Sequence, residues 1–76
     1  SERFDIALLD PPYGKNLISA VLPKLSEKMN DQGIIICECE RGEELPEKAG
    51  SFSAVKTYRY GKAKITTYKK QQEEGD

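Results

Sequence analysis

The chain has 76 residues, with 12 Lys+Arg against 13 Asp+Glu, two cysteines and no histidine, so it is at most one small domain. The lack of histidine excludes Ser-His-Asp and Cys-His nucleophile pairs, an imidazole general base and a Cys₂His₂ zinc site. Two cysteines cannot form a Cys₄ site within one chain, so we expect no metal site. A net charge of -1 argues against bulk attraction to nucleic acids or membranes, which usually shows as a clear basic excess.

The first predicted element is a strand over residues 4–9, an apolar run that is typical of a parallel sheet covered on both faces. Such a strand needs a neighbour on each edge and nothing precedes it, so we expect the chain to be a fragment of a longer protein. The segment DPPYG then ends the strand, because its prolines remove backbone donors and fix φ. Helical spacing of apolar residues follows from about residue 15 to 29, with a kink or break at Pro23 and a turn over residues 30–33.

The second half of the chain is predicted to be mostly strand. Residues 33–40 form the second strand of a right-handed parallel βαβ crossover. Residues 41–51 are polar and are expected to be a loop with one helical turn. Residues 52–60 and 62–68 alternate between polar and apolar and are predicted to be a hairpin joined at Gly61.

The tail, KKQQEEGD, has no apolar residue. The expected organisation is therefore one domain over residues 1–70 and a disordered tail over residues 71–76.

Cys37 and Cys39 are two residues apart on the second strand, so they share a face and are poorly placed to bridge each other. They are interpreted as small buried hydrophobic residues, with a reactive or metal-binding role as the alternative. Free thiols suggest a reducing compartment. No apolar run approaches the roughly 20 residues of a membrane span, and no signal peptide pattern opens the chain. We expect a soluble, cytoplasmic protein without a membrane partner.

Charge is distributed in blocks along the sequence. Residues 38–47 contain five acids and one base, whereas residues 54–70 contain six bases and no acid. One interpretation is a solvated hairpin whose lysines protect an edge strand. The other is an RNA-facing basic strip interleaved with Tyr58, Tyr60 and Tyr68, although tyrosines at even spacing more often pack within sheets.

The motif Asp10-Pro11-Pro12-Tyr13 follows a buried parallel strand, at the end where open α/β sheets bind ligands. The Asp10 carboxylate and a proline carbonyl can point at one donor, while Tyr13 offers a flat face beside them. An aromatic plane with two acceptors suits a nucleobase that carries an exocyclic amine. The alternative is a simple strand-to-helix turn in which Asp10 caps the helix.

The segment FDIALLDPPYG resembles motif IV of amino-group N-methyltransferases that use S-adenosylmethionine, whose signature is Asp/Asn/Ser-Pro-Pro-Tyr/Phe. The order DPPYG, amphipathic helix, GIIICECE, EELPE loop and YRYGKAKITTYKK hairpin is similar to the C-terminal half of bacterial small-subunit (16S) ribosomal RNA guanine-N2 methyltransferases. This similarity runs from residue 4 to about residue 70. The DPPY motif marks the class rather than the base, since adenine-N6 and cytosine-N4 enzymes also use it.

The resemblance implies the C-terminal half of a Rossmann-like class I methyltransferase fold, with these residues forming the fourth to seventh strands. The implied cofactor is S-adenosylmethionine. The family's Gly-rich cofactor loop and the acidic residue that holds the ribose have no counterpart in this sequence, and no Gly-x-Gly occurs. We therefore expect the isolated chain to be inactive.

The resemblance also implies a role for each motif residue. Asp10 and the Pro11 carbonyl would accept hydrogen bonds from the guanine N2 amine and aim its lone pair, with Asp10 also contacting the cofactor. Pro12 would hold the turn rigid, and Tyr13 would stack on the extruded base. Positioning of this kind needs no histidine. The predicted substrate-binding residues are Tyr13, Gly14, Lys15, Arg59 and Lys62, although a solvated first-turn position is the plainer interpretation of Lys15.

Two other functions remain open at this point. One is a DNA adenine-N6 or cytosine-N4 methyltransferase, and the other is a small RNA-binding module without enzymatic activity. The expected partners are ribosomal RNA or the 30S subunit. Self-association through the bare edge of the first strand is also expected, because unpaired edges invite pairing with another chain.

Overall fold

A mixed sheet and one helix make up the structure. The computed structural model describes residues 2–10 and 17–70. The spatial order of the strands is β1-β2-β5-β4-β3; β1 and β2 are parallel, and the other neighbours are antiparallel. The predicted α/β class, a strand-helix-strand unit followed by a hairpin, is confirmed. The elements in chain order are β1 (Phe4–Leu9), α1 (Leu17–Ser26), β2 (Met29–Glu40), β3 (Lys48–Ala49), β4 (Phe52–Tyr60) and β5 (Ala63–Lys70).

The hairpin of β4 and β5 agrees with the sequence prediction. Gly61 in its turn has a φ of 53°, a left-handed conformation that glycine adopts without steric cost. Strand β5 also pairs with β2, with Ala63 opposite Glu40. The turn of the hairpin therefore lies at the same edge of the sheet as the carboxyl ends of β1 and β2.

The core lies on one face of the sheet, under α1. Helix residues Ile18 and Leu22 are almost fully buried there, and alternate residues of β2 meet them. Paired residues of neighbouring strands point to the same face, so the register carries this core across β5 to β4. The buried cluster consists of Ile18, Leu22, Met29, Ile35, Cys37, Cys39, Ala49, Phe52 and Tyr68.

Helix α1 is shorter than its apolar spacing predicts. The prediction that it extends to residue 29 is wrong, because the helix ends at Ser26. It continues through Pro23 instead of dividing there, and the Ser26 hydroxyl donates a hydrogen bond to the Pro23 carbonyl (2.8 Å). This bond supplies a partner for a carbonyl in the last turn. No helix among the described residues is long and apolar enough to cross a membrane.

The predicted turn over residues 30–33 is also wrong, since β2 begins at Met29 and includes them. Met29 pairs with Phe4, and the register with β1 then shifts before Ile34. Residues 30–33 are thus accommodated as an irregularity within the strand. A Cβ on Gly33 would lie 3.1 Å from the Asp5 carbonyl oxygen, closer than most Cβ contacts, so glycine favours this close approach of the two backbones.

Residues 41–51 form no helical turn, contrary to the prediction. The segment crosses the sheet and ends in β3, which pairs with the outer edge of β4 through Lys48 opposite Ser53 and Ala49 opposite Phe52. The amide of Ala54 also donates to the Glu47 carbonyl (2.8 Å). The edge of β4 offers unpaired backbone groups, and pairing with them satisfies more donors than an isolated turn would.

Strand β1 is covered on one face only, so the prediction that both faces are buried is wrong for the described residues. Ala7 and Leu9 pack against the core, whereas Ile6 and Leu8 are 68% and 66% exposed. The difference arises because α1 packs on the opposite face. Within residues 2–10 and 17–70, β1 has a hydrogen-bonded neighbour only in β2. The predicted tail, residues 71–76, lies outside the described residues.

Both cysteines are buried and free, as expected from their strand positions. Burial raises the pKa of Cys37 to about 12 and raises that of Cys39 as well. The described residues contain no cluster of side chains that could hold a metal ion. The interpretation of these cysteines as small core residues is therefore confirmed.

We expect both thiols to be unreactive in the folded protein. At pH 8 a chromogenic disulfide reagent should label neither Cys37 nor Cys39, because both are buried and little thiolate forms when the pKa is raised. After urea is added, two equivalents of thiol per chain should react rapidly with the reagent. Rapid labelling of either thiol without urea, with Cys→Ser variants identifying which one, would contradict the buried assignment.

Candidate active site

Three segments meet at the carboxyl edge of the parallel strands. Asp10 directly follows β1 and is exposed, Arg41 directly follows β2, and Lys62 belongs to the turn between β4 and β5. Their proximity to one edge follows from the parallel pairing of β1 with β2 and from the antiparallel pairing of β2 with β5. Binding residues in open α/β sheets are placed at this edge.

The structure describes only part of the predicted site. Asp10, Arg59 and Lys62 are described, and all three are exposed near the carboxyl edge. The other predicted site residues lie outside the described residues; they are Pro11, Pro12, Tyr13, Gly14 and Lys15.

Arg41 connects the end of β2 to the hairpin turn. Its backbone amide donates to the Lys62 carbonyl (2.8 Å), and its guanidinium donates to the Gly61 carbonyl (3.3 Å). These bonds hold the hairpin turn beside the carboxyl end of β2, at the same edge of the sheet as Asp10. Sequence reasoning did not single out Arg41. The available signal was a lone base among five acids, immediately after a predicted strand.

Arg59 lines a pocket of about 400 Å³ on the sheet face that carries α1. The pocket lies between the hairpin and the loop of residues 44–47, which contains two glutamates. In register it pairs with Lys64, whose ammonium donates to the Glu43 carbonyl. Cations therefore form one wall and loop carboxylates the other. Such a pocket offers donors to a phosphate or carboxylate and acceptors to N–H groups. Its lining is Glu44, Leu45, Pro46, Glu47, Ala54, Thr57, Arg59, Lys64, Thr66 and Tyr68.

Tyr68 is a structural residue that secures this loop. Its side chain is fully buried, and its hydroxyl donates to the Pro46 carbonyl (2.6 Å). Burial raises the pKa of Tyr68 to about 12. The interpretation of Tyr68 as an RNA-facing residue is therefore wrong, whereas Tyr58 and Tyr60 are about half exposed.

We expect Tyr68→Phe to lower the free energy of unfolding by about 1 kcal/mol, because the Pro46 carbonyl loses its donor. The raised pKa means that the folded state holds the phenol proton more tightly than the unfolded chain. Stability from this group is present below about pH 10 and is lost as the pH rises through about 12. Urea unfolding at pH 8 and pH 11 should show a larger loss for the wild type than for Tyr68→Phe, and equal losses would contradict the buried phenol.

Comparison with known proteins identifies the family of this fold. Residues 1–69 match the family described as Conserved hypothetical protein 95. Over 64 residues the chain is 34% identical to the Bacillus subtilis protein named "Putative rRNA methyltransferase YlbH"; the match covers 82% of this chain and 35% of that protein. The chain therefore spans about a third of the length of this curated relative.

Solved structures share the fold. A conserved hypothetical protein from Streptococcus pyogenes has a TM-score of 0.81 and 34% identity, over 90% of this chain and 44% of its own. A Haemophilus influenzae "putative methylase" (TM-score 0.78, 23% identity) and the Escherichia coli "Putative methyltransferase yhhF" (0.72, 21%) each match over 93% of this chain and 41% of theirs. The chain thus belongs to the Conserved hypothetical protein 95 family and carries part of a Rossmann-like methyltransferase fold.

Proposed function

We propose that this chain is the C-terminal part of an S-adenosylmethionine-dependent methyltransferase that modifies the exocyclic N2 amine of a guanine in 16S ribosomal RNA. The observation that carries the proposal is the position of Asp10, the first residue of a DPPY motif, exposed at the carboxyl end of β1 in a sheet of the fold shared with the putative methylase and methyltransferase structures. The name of the Bacillus subtilis relative supports ribosomal RNA as the substrate class. The chain alone covers 35% of that relative, and we propose that it is inactive in isolation.

The chemistry of Asp10 fits this reaction. S-adenosylmethionine, when bound, supplies an electrophilic methyl group. An exocyclic amine conjugated with its ring is a weak nucleophile, and a carboxylate that accepts its hydrogen bond localises the nitrogen lone pair. Asp10 and the Pro11 carbonyl are proposed to act in this way, with Pro12 holding the turn and Tyr13 stacking on the base. Asp10 is also proposed to contact the cofactor. Catalysis then rests on positioning and electrostatics.

Substrate binding is proposed to involve the bases around the same edge. Arg59 and Lys62 are exposed there, and both can bind phosphates of a ribosomal RNA or 30S substrate. Lys15 and Gly14 are proposed to contribute from the segment that follows Tyr13. We further propose one domain over residues 1–70 with a separate tail over 71–76, a cytoplasmic location, and self-association of the isolated chain through the edge of β1.

The test is a methyl-transfer assay with the full-length protein and labelled S-adenosylmethionine. Naked 16S ribosomal RNA, assembled 30S subunits and duplex DNA are compared as substrates. We expect transfer to ribosomal RNA or to 30S subunits, with digestion and mass spectrometry showing N2-methylguanosine. Transfer to DNA alone would replace the proposal with a DNA amino-methyltransferase. Absence of transfer to any substrate, combined with tight RNA binding, would favour an RNA-binding module.

A further inference from the structure

Strand β4 presents two aromatic rings and a cation on one face. Lys56, Tyr58 and Tyr60 alternate along the strand and pair with Thr67, Ile65 and Ala63 of β5. They therefore point away from α1, on the face opposite the Arg59 pocket. Tyr58 and Tyr60 are 51% and 49% exposed, and the Lys56 ammonium lies 5.2 Å from the centre of the Tyr58 ring.

These two rings lie outside the buried core of the described structure. Phe52 and Tyr68 fill the core on the α1 face, where they are about fully buried. Tyr58 and Tyr60 lie on the other face, where each residue is about half exposed. Residues two apart in a strand are about 6.6 Å apart, so the two rings can each contact a different base.

The charge around this surface favours a polyanion. Residues 54–70 contain six bases and no acid. Lys56 and Lys69 belong to the same face, and Lys62 lies in the adjoining turn. The other three of the six bases do not contribute: Lys70 forms an ion pair with Asp31 (2.9 Å), and Arg59 and Lys64 lie on the opposite face. Acids on the same face occur on β2, and β5 separates them from β4, so the cations are nearer than the acids to the two rings.

We propose that Lys56, Tyr58 and Tyr60 form a platform for a single-stranded segment of RNA, with bases stacked on the two rings and phosphates facing Lys56 and Lys62. Exposed aromatic rings combined with nearby cations are the features by which proteins hold single strands. The platform ends at the hairpin turn, at the same sheet edge as Asp10. An RNA strand on it therefore continues toward the proposed site of methyl transfer, and this last step rests on the proposed function.

The experiment measures RNA affinity of the full-length protein by fluorescence anisotropy, with a labelled single-stranded 12-nucleotide RNA and no S-adenosylmethionine. Tyr58→Ala and Tyr60→Ala are each expected to weaken binding about fivefold to a hundredfold, the range for loss of one stacked base. Tyr58→Phe and Tyr60→Phe keep the ring and should stay within about threefold of wild type. Lys56→Ala should reduce the slope of log affinity against log salt by about 0.7.

Val55→Ala provides the matched control, because Val55 is also exposed on β4 and has no aromatic ring. It should bind RNA as the wild type does, and equal thermal melting of all variants will show that the fold is intact. Wild-type affinity in both tyrosine-to-alanine variants would overturn the platform, as would equal losses in the phenylalanine and alanine variants. If the two tyrosine-to-alanine variants lose self-association but not RNA binding, the face is a protein contact, and that result would also overturn the platform.

The same variants separate this inference from the proposed function. If the wild type transfers methyl groups to ribosomal RNA while the alanine variants bind RNA normally, the platform is wrong and the proposed function stands. If the alanine variants lose RNA affinity while the wild type transfers no methyl group to any substrate, the platform stands and the proposed function is wrong.

Discussion

Substitution of Asp10 by alanine is expected to lower the kcat of the proposed methyl transfer by about 10²- to 10³-fold in the full-length protein, the usual effect of removing one preorganised polar group from a reacting centre. Asp10 is exposed directly after β1, so its replacement should leave the sheet intact. Because the Asp10 carboxylate is proposed to act on the amine as it becomes nucleophilic, the loss should fall on kcat more than on the KM for RNA. Steady-state kinetics over a range of RNA concentrations measures kcat and KM separately.

Asp10→Asn is the matched control. Asparagine keeps one carbonyl acceptor in the same place. The signature that this motif resembles, Asp/Asn/Ser-Pro-Pro-Tyr/Phe, also includes asparagine at this position. We expect Asp10→Asn to retain activity within about tenfold of wild type. Equal activity of Asp10→Ala and wild type would show that Asp10 only ends the strand, and the catalytic proposal would then fail. Unchanged kcat with a raised KM would instead assign Asp10 to RNA binding.

The largest effect on stability is expected at Phe52. Its ring is 1% exposed in the cluster beneath α1, at the start of β4. Phe52→Ala removes that ring and leaves a cavity, which costs about 3–5 kcal/mol of the free energy of unfolding. The free energy of unfolding of a domain is about 5–15 kcal/mol, so the variant should lose a large part of its stability. Urea unfolding followed by circular dichroism measures the difference.

Two controls accompany Phe52→Ala. Leucine fills most of the volume of the phenylalanine ring, so Phe52→Leu should lower the free energy of unfolding much less than Phe52→Ala does. Val55→Ala removes a similar kind of apolar group three residues along β4, but Val55 is 53% exposed, and the change should stay within about 0.5 kcal/mol. A loss below 1 kcal/mol for Phe52→Ala would place the core elsewhere and would contradict the packing of α1 on this face.

Prediction from sequence succeeded where neighbouring residues decide the outcome. The alternation of residues 52–60 and 62–68 and the glycine of the turn at Gly61 were enough for the hairpin. Prediction failed around Met29, whose helical spacing from Leu25 and Leu22 placed it on α1. Its place in β2 depends on pairing with Phe4, which is 25 residues away and leaves no mark in local periodicity.

The candidate site divides in the same way. The DPPY motif identified Asp10 without any structure, because its residue types and its place after an apolar strand are local features. Arg41 was missed, since its importance arises from bonds to the turn at Gly61 and Lys62, about 20 residues along the chain. Only the pairing of β2 with β5 brings these segments together.

The sequence by itself determined the order of β1, α1, β2 and the hairpin of β4 and β5, the exclusion of histidine chemistry and the position of the motif at a strand end, whereas β3 was missed. Tertiary structure alone decided which alternate residues are buried. Tyr58, Tyr60 and Tyr68 share an even spacing, yet Tyr68 holds a loop in the core while the other two face solvent. The reason is physical: periodicity assigns a side chain to a face of its strand, but the helix that packs on one face determines which side chains leave water.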